Sequence, residues 1–392
     1  MIMAKKENKD FFKLRIAITH LNLSWYRIPL FKMLQDKIKS DIIILNAKDL
    51  PTYGKADFDV IEYMLNKYKI SYKTERIIGK NYLYFNPFLL RTLLAYDIVV
   101  WGESILSLNG LIFIPTLKLF RKKVVLWADD WGYKKHFIRK ILEPLIRLIY
   151  LIADGILVHG PKHYSYFLKI GVDKRKIFFI GNASTIFKEF SSEDEIKRVR
   201  RILNTKYIIL YVGGLIKRKN VDKIIKAIYN LRQKSFDVGL LIAGQGPEFK
   251  NLYKMVRKMN LTDYVKFLGW IPFHKLSNYY LAANVFVFPA ENEPWGLVIN
   301  EALEAGIPIV TTKSIGAEEL IANNINGMLI NEINEENITD GIIKCLANKI
   351  DVNNQIILKI KRKYNYKTMA DLFIKSLMKI YYYNHKSNRN EY

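Results

Sequence analysis

The stretch Glu293-Pro294-Trp295-Gly296-Leu297-Val298-Ile299-Asn300-Glu301, continued by Ala302-Leu303-Glu304-Ala305-Gly306-Ile307-Pro308-Ile309-Val310, decides the fold class of this 392-residue chain. Pro294 suits the first position of a helix, where its missing N–H is no loss. Gly306 suits the residue that stops one. Ile307 to Thr312 then reads as a short buried strand, and Val285 to Phe288 upstream as another. Strand, loop, helix, strand is the unit of a parallel α/β sheet.

A loop at the carboxyl end of such a strand, opening a helix, is where open α/β sheets bind ligands. The N–H groups of residues 295–297 are expected to point at the ligand, and the helix dipole favours an anion there. Glu293 precedes the helix, and Glu301 lies about 10 Å along its axis at ~1.5 Å per residue. Carboxylates accept paired hydrogen bonds from vicinal hydroxyls. Two of them around an anion site suit a diphosphate with a hydroxyl-rich ring at each end, as in a nucleoside diphosphate sugar.

These residues resemble the E-x7-E signature of the retaining glycosyltransferases of group 1, or family four, which have two Rossmann-like domains (the GT-B fold). The resemblance makes Glu301 the ligand of the donor ribose and Glu293 the ligand of the transferred sugar. It places the diphosphate on the amides of Trp295, Gly296 and Leu297, after Pro294. By themselves, two glutamates at this spacing favour a capped core helix with solvent-facing side chains; the flanking segments reverse that in favour of the donor site.

Composition sets the outer bounds. Length and a hydrophobic content of 50% allow two domains with adequate cores. The lone cysteine, Cys345, excludes an internal disulfide and a cysteine-rich zinc site, and fits a reducing compartment. The charged N-terminus reads as lacking a signal segment, and no long uncharged apolar run occurs. The protein is therefore expected in the cytoplasm, free or peripheral at the inner membrane face. A net charge of +25, spread over both halves, calls for nucleic acid, anionic lipid or a lysine-rich bias as its explanation.

Leu14 to His20 reads as the first strand. The following loop, Leu21 to Arg27, has no glycine, so the phosphate-cradling turn of nicotinamide-binding folds is missing. Trp25, Tyr26 and Arg27 resemble the acceptor-side element of family members with Tyr-Arg-x-Pro. Asp97 to Trp101 and Lys123 to Trp127 read as further strands, the latter emptying into Asp129 and Asp130. Adjacent aspartates could hold a metal, but no second cluster accompanies them, so no metal is assigned. Many family members place a sugar-touching histidine in this loop. The resemblance thus makes Asp129, with His20 as substitute, a catalytic candidate beside Glu293.

Residues 134–152 are basic and apolar, as are 111–123. They read either as ordinary α/β helices or as a membrane-interface region, with Pro144 kinking or splitting the second. An anionic membrane surface is the expected partner of these segments. After Ala153 to Val158, another strand, the chain resembles the close of the family's N-terminal domain, and the boundary is placed near residue 188. The first domain spans 1–188 with a returning helix at about 370–392; the second spans 189–369.

Tyr207 to Gly214 reads as a strand feeding Lys217-Arg218-Lys219, three cations that would complement a diphosphate in the role of a metal. This resembles the family's Gly-Arg-Leu…Lys-Gly element. Lys219 matches its lysine; Gly214 stands where arginine is usual, leaving Arg218 or Lys217 to supply that charge. Gly244 to Glu248, with Gly246, resembles the family's Gly-x-Gly-Pro-Glu turn, and Val265 to Ile271, with Trp270, the region that binds the base.

The resemblance implies two doubly wound α/β domains facing across a cleft. It implies metal-independent transfer of a hexosyl-type sugar, with no further cofactor, to a glycan or lipid-linked glycan. The rivals are an isomerase or phosphorylase on the same scaffold, and a basic nucleic-acid-binding protein. For the last, neither a binding motif nor a concentrated basic stripe is visible.

Overall fold

The computed structural model describes residues 11–21, 23–45, 55–74, 85–130, 137–186, 188–347 and 354–387. Contacts divide the chain into two units, one running to Asn182 and resuming at Tyr366, the other covering Ala183 to Asn365. The sequence places this division near 188 and 369.

Unit 1 contains a seven-stranded sheet of β1 (Ile16–His20), β2 (Ser40–Ile44), β3 (Tyr72–Thr74), β4 (Ile98–Gly102), β5 (Lys123–Ala128), β6 (Gly155–Val158) and β7 (Ile177–Phe179). All pairings are parallel, in the order β3-β2-β1-β4-β5-β6-β7. Such strands are covered on both faces and read as continuous apolar runs, as in Val124 to Ala128, all buried. The helices between them are α1 (Ile28–Lys37), α2 (Lys55–Tyr68), α3 (Leu89–Leu94), α4 (Leu108–Leu119), α5 (Phe137–Ile141), α6 (Glu143–Ile152) and α7 (Pro161–Lys169). Pro144 falls in the first turn of α6, so the 134–152 segment is split as its ring demands.

Unit 2 contains a six-stranded parallel sheet of β8 (Tyr207–Val212), β9 (Val238–Ala243), β10 (Val265–Gly269), β11 (Val285–Phe288), β12 (Ile309–Thr312) and β13 (Gly327–Ile330), ordered β10-β9-β8-β11-β12-β13. Its helices are α8 (Glu193–Arg200), α9 (Val221–Gln233), α10 (Phe249–Lys258), α11 (Phe273–Ala282), α12 (Leu297–Ala305), α13 (Glu335–Ala347) and α14 (Gln355–Lys363). The sequence predicts one helix over 351–383. The chain instead breaks at Tyr364, whose backbone is non-helical, and α15 (Tyr366–Ser387) returns to unit 1. There Phe373 packs on Trp127 and Lys37 meets Asp371 at 2.5 Å. A Cβ at Gly155 would lie 2.4 Å from Ile380, so the glycine lets β6 and α15 close together.

One expectation at the deciding stretch is corrected. The helix begins at Leu297, three residues after Pro294, and its cap is Gly296 in the left-handed region (φ 94°). The preceding segment is tied down as a strand-like strip instead. Glu293 bridges to Ile315, Gly316 N–H donates to Glu293 O at 2.9 Å, and Ala317 N–H donates to Trp295 O at 3.0 Å. Any Cβ at Gly316 would stand 1.8 Å from Pro294 O, which is why only glycine admits this contact. Gly306 ends the helix at φ 78°, as predicted.

Candidate functional site

In unit 2, the loops after β8 and β11 are stapled together. Glu291 N–H donates to Arg218 O at 2.7 Å, and the Asn220 amide donates to Pro289 O at 2.9 Å. Asn220 takes the left-handed conformation (φ 53°) that turns Lys217–Lys219 into α9. This brings two predicted cations onto one predicted carboxylate. Arg218 Nη1 and Lys219 Nζ both reach Oε2 of Glu293, at 2.5 and 2.6 Å. Lys219 is buried, with Nζ 4.4 Å from the centroid of the Phe288 ring. Desolvation alone would raise the Glu293 pKa, but Lys219 and Arg218 outweigh it and hold the carboxyl below its ordinary value. Between the two substitutes for the missing arginine, Arg218 is the one on the glutamate.

Glu301, on α12, is buried and not solvent-facing. Tyr280 OH donates to Oε2 at 2.8 Å and Ser184 Oγ to Oε1 at 3.1 Å. Burial pushes its pKa up to about 7, against those two hydrogen bonds. Trp295 is buried against Tyr364, its indole N–H bonded to Asn300 Oδ1 at 2.8 Å. The donor end of α12 thus lies at Leu297 and Val298, beside Gly296. Around it, Gly214 O accepts from Tyr211 OH, and a Cβ at Gly246 would sit 2.3 Å from Leu215 O. Gly246 therefore has a packing reason as well. Trp270 follows Gly269, whose carbonyl accepts from Gly244 N–H at 2.7 Å.

In unit 1 a second cluster forms around Trp127 at the end of β5. Arg27, buried, lies 4.3 Å from the Trp127 ring centroid and donates to Asn182 Oδ1 at 3.1 Å. His20 stands edge-on to the same tryptophan at 6.0 Å. Tyr26 lies under the Arg27 guanidinium, with Trp25 edge-on to it. Asp129 Oδ1 is 2.6 Å from Nε2 of His159, whose Nδ1 is 2.8 Å from Gly181 O. The Asp129 side chain keeps 66% of its area exposed, while the His159 ring is wholly buried. Desolvation works to raise the Asp129 pKa; the charge and hydrogen bond of His159, with Arg27, overcome it and set it low. Burial, with His159 next to it, pushes His163 down to about 3.

Sequence reading missed His159, His163, Asn182, Ser184 and Tyr280. His159 carries a usable signal, a polar residue just after β6 at the carboxyl edge of the sheet. Ser184 and Tyr280 carry none, since only folding brings them to Glu301. Asp130 plays a different part from Asp129: it accepts from Arg139 and from Tyr150 OH. Among the described residues, no three His, Cys, Asp or Glu side chains group so as to hold a metal ion.

Residues 192–363 match the model of the family "Glycosyl transferases group 1". This part of the chain is similar to that family. Among curated relatives, an uncharacterized glycosyltransferase of Methanocaldococcus jannaschii is 29% identical over 178 residues, 45% of each chain. A GDP-mannose-dependent alpha-(1-6)-phosphatidylinositol monomannoside mannosyltransferase of Mycobacterium tuberculosis is 26% identical over 159 residues, 39% of this chain and 41% of the relative. The match thus spans less than half the length of these relatives. Among solved structures, Anabaena HepE in complex with UDP and glucose superposes with a TM-score of 0.72 at 16% identity, covering 93% of this chain and 99% of that one. Sucrose-phosphate synthase from Thermosynechococcus elongatus gives 0.71 at 18%, covering 94% and 99%. The fold is that of the GT-B glycosyltransferases, and the residues that match the group 1 model include Glu293 and Glu301.

Proposed function

We propose that the chain is a retaining glycosyltransferase, moving a hexosyl-type sugar from a nucleoside diphosphate sugar to a glycan or lipid-linked glycan. The observation that carries this reading is the meeting of Arg218 and Lys219 on Glu293, just before α12, the helix that carries Glu301, within the residues that match the group 1 model. Lys219 and Arg218 supply positive charge for a leaving diphosphate, where fixed charges in a partly dry site stabilise the transition state most. Glu293 holds both cations in place and offers hydroxyl-accepting oxygens to the transferred sugar. Glu301 is set to receive the ribose. The Asp129–His159 pair and Arg27 would serve the acceptor side. UDP with glucose in HepE, and GDP-mannose in the name of the mycobacterial relative, support a nucleotide sugar as donor.

No helix among the described residues is long and apolar enough to cross a membrane. The reading includes work at a cytoplasmic membrane face without a spanning segment. Calorimetry with UDP and with GDP, run with and without EDTA, tests the donor assignment. Micromolar binding of one nucleotide, unchanged by EDTA, is expected; no binding of either would overturn it, and EDTA-sensitive binding would overturn the metal-free part.

A further inference from the structure

Helix α6 is apolar on more than the side it buries. Ile146, Ile149 and Tyr150 face the core, yet Leu145, Leu148 and Leu151 are exposed on the other side, with Leu148 at 52%. A helix that is apolar all round is normally enclosed. The stripe continues into Ile141, 62% exposed, at the end of α5. Helix α4, which packs on α6, adds Ile112 and, at its end, Leu119 and Phe120, exposed by 81% and 57%. Exposed large apolar side chains gathered on two packed helices mark an interaction site.

The charges beside this ridge identify what covers it. Arg121 and Lys122 follow Phe120, Lys140 precedes Ile141, and Arg147 lies between Leu145 and Leu148; Arg121, Lys140 and Arg147 are exposed. Two nearby carboxylates are already paired with other groups. Asp154 is buried under Lys118 at 2.5 Å and Lys123 at 3.4 Å, and Asp130 holds Arg139 and Tyr150. The face is therefore an apolar ridge with a cationic border. Two copies meeting through it would set like charges against each other, on chains of net charge +25. An anionic bilayer satisfies both parts at once.

We infer that α4 and α6 form a membrane-insertion ridge, seating Leu119, Phe120, Ile141, Leu145, Leu148 and Leu151 at the acyl boundary of an anionic leaflet. This deepens the membrane-proximal part of the proposed function by naming the surface. Arg139 is ion-paired with Asp130, and Lys134 and Lys135 lie outside the described residues. Apolar insertion becomes the larger part and cations the selective part.

Flotation of the full chain with phosphatidylglycerol–phosphatidylcholine vesicles, and with phosphatidylcholine alone, tests this. Wild type is expected to float with anionic vesicles, to weaken in 0.5 M NaCl, and to retain a salt-resistant fraction. Leu145→Gln with Leu148→Gln should lower binding about tenfold, as should Leu119→Ser with Phe120→Ser, a pair at the exposed helix end where folding is least disturbed. UDP and GDP titrations on the same variants report the donor site separately, so its failure is not confused with that of the ridge. Wild type that ignores anionic vesicles at low salt overturns the inference. So do folded variants of both pairs that bind as wild type, or sedimentation showing a dimer that these substitutions dissolve.

Discussion

The hydroxyl of Ser184 donates to Oε1 of Glu301 at 3.1 Å, occupying one oxygen of the carboxylate proposed to hold the donor ribose. Ser184 lies one residue past the division between the units, so nucleotide entry would exchange a bond made by the joining segment. An ionised Glu301 accepts hydroxyls better than a protonated one, and its pKa in the free protein is raised to about 7. Nucleotide affinity is therefore expected to rise with pH through about 7, with proton release on binding, and to flatten in Glu301→Gln. Calorimetry in two buffers of different ionisation enthalpy measures the released proton. A pH-independent affinity between 5.5 and 8.5 contradicts it.

Stability of the free protein should move the other way. The folded-state pKa of Glu301 lies above its ordinary value of 4.5, so the native state holds a proton that the unfolded state has lost. Its stabilising effect is complete below that ordinary value and lost as pH rises through about 7. The full change is on the order of 3 kcal/mol at ~1.36 kcal/mol per unit. Chemical denaturation at pH 5 and pH 8 should show Glu301→Gln with a smaller difference than wild type.

Lys219→Met leaves the partly buried Glu293 with Arg218 alone and should cost about 2 kcal/mol of stability. Adding Glu293→Gln removes the stranded charge and should restore most of that loss. Nucleotide affinity should fall at least tenfold in both variants, because neither rebuilds the cation. Equal stability of the single and double variants would show that the pair is not coupled.

Asp129→Asn is expected to lower turnover at least tenfold with little effect on UDP or GDP affinity, separating the acceptor side from the donor side. His159→Asn, which removes the ring 2.6 Å from Asp129, should reproduce much of that loss. His163, pushed down to about 3, should give no titrating ring signal between pH 5 and 8 by NMR. Its folded pKa lies below the unfolded one, so its contribution to stability is lost as pH falls below about 6.5.

The alternation of apolar runs with helical segments was enough to indicate two parallel sheets, because strands covered on both faces need continuous apolar stretches such as Tyr207–Val212 and Val238–Ala243, but the exposed edge strand Tyr72–Thr74 has no such run and was missed. Gly306 announced the end of α12, since only a residue at ease with positive φ can stop a helix that way. Lys217 to Lys219, Glu293 and Glu301 could be marked because chemistry-bearing residues follow strand ends in such folds. Where α12 begins could not be read. Pro294 is locally fit for a helix start, but hydrogen bonds to Gly316 and Ala317, over 20 residues on, hold its segment extended. Nor could the sequence show that Glu301 is buried beneath Tyr280 and Ser184, or that Asp129 meets His159. Those contacts join residues 21 to 117 positions apart, and only packing decides them. The apolar ridge is of the same kind: composition places leucines in α6, but which of them face water depends on what the rest of the unit leaves uncovered.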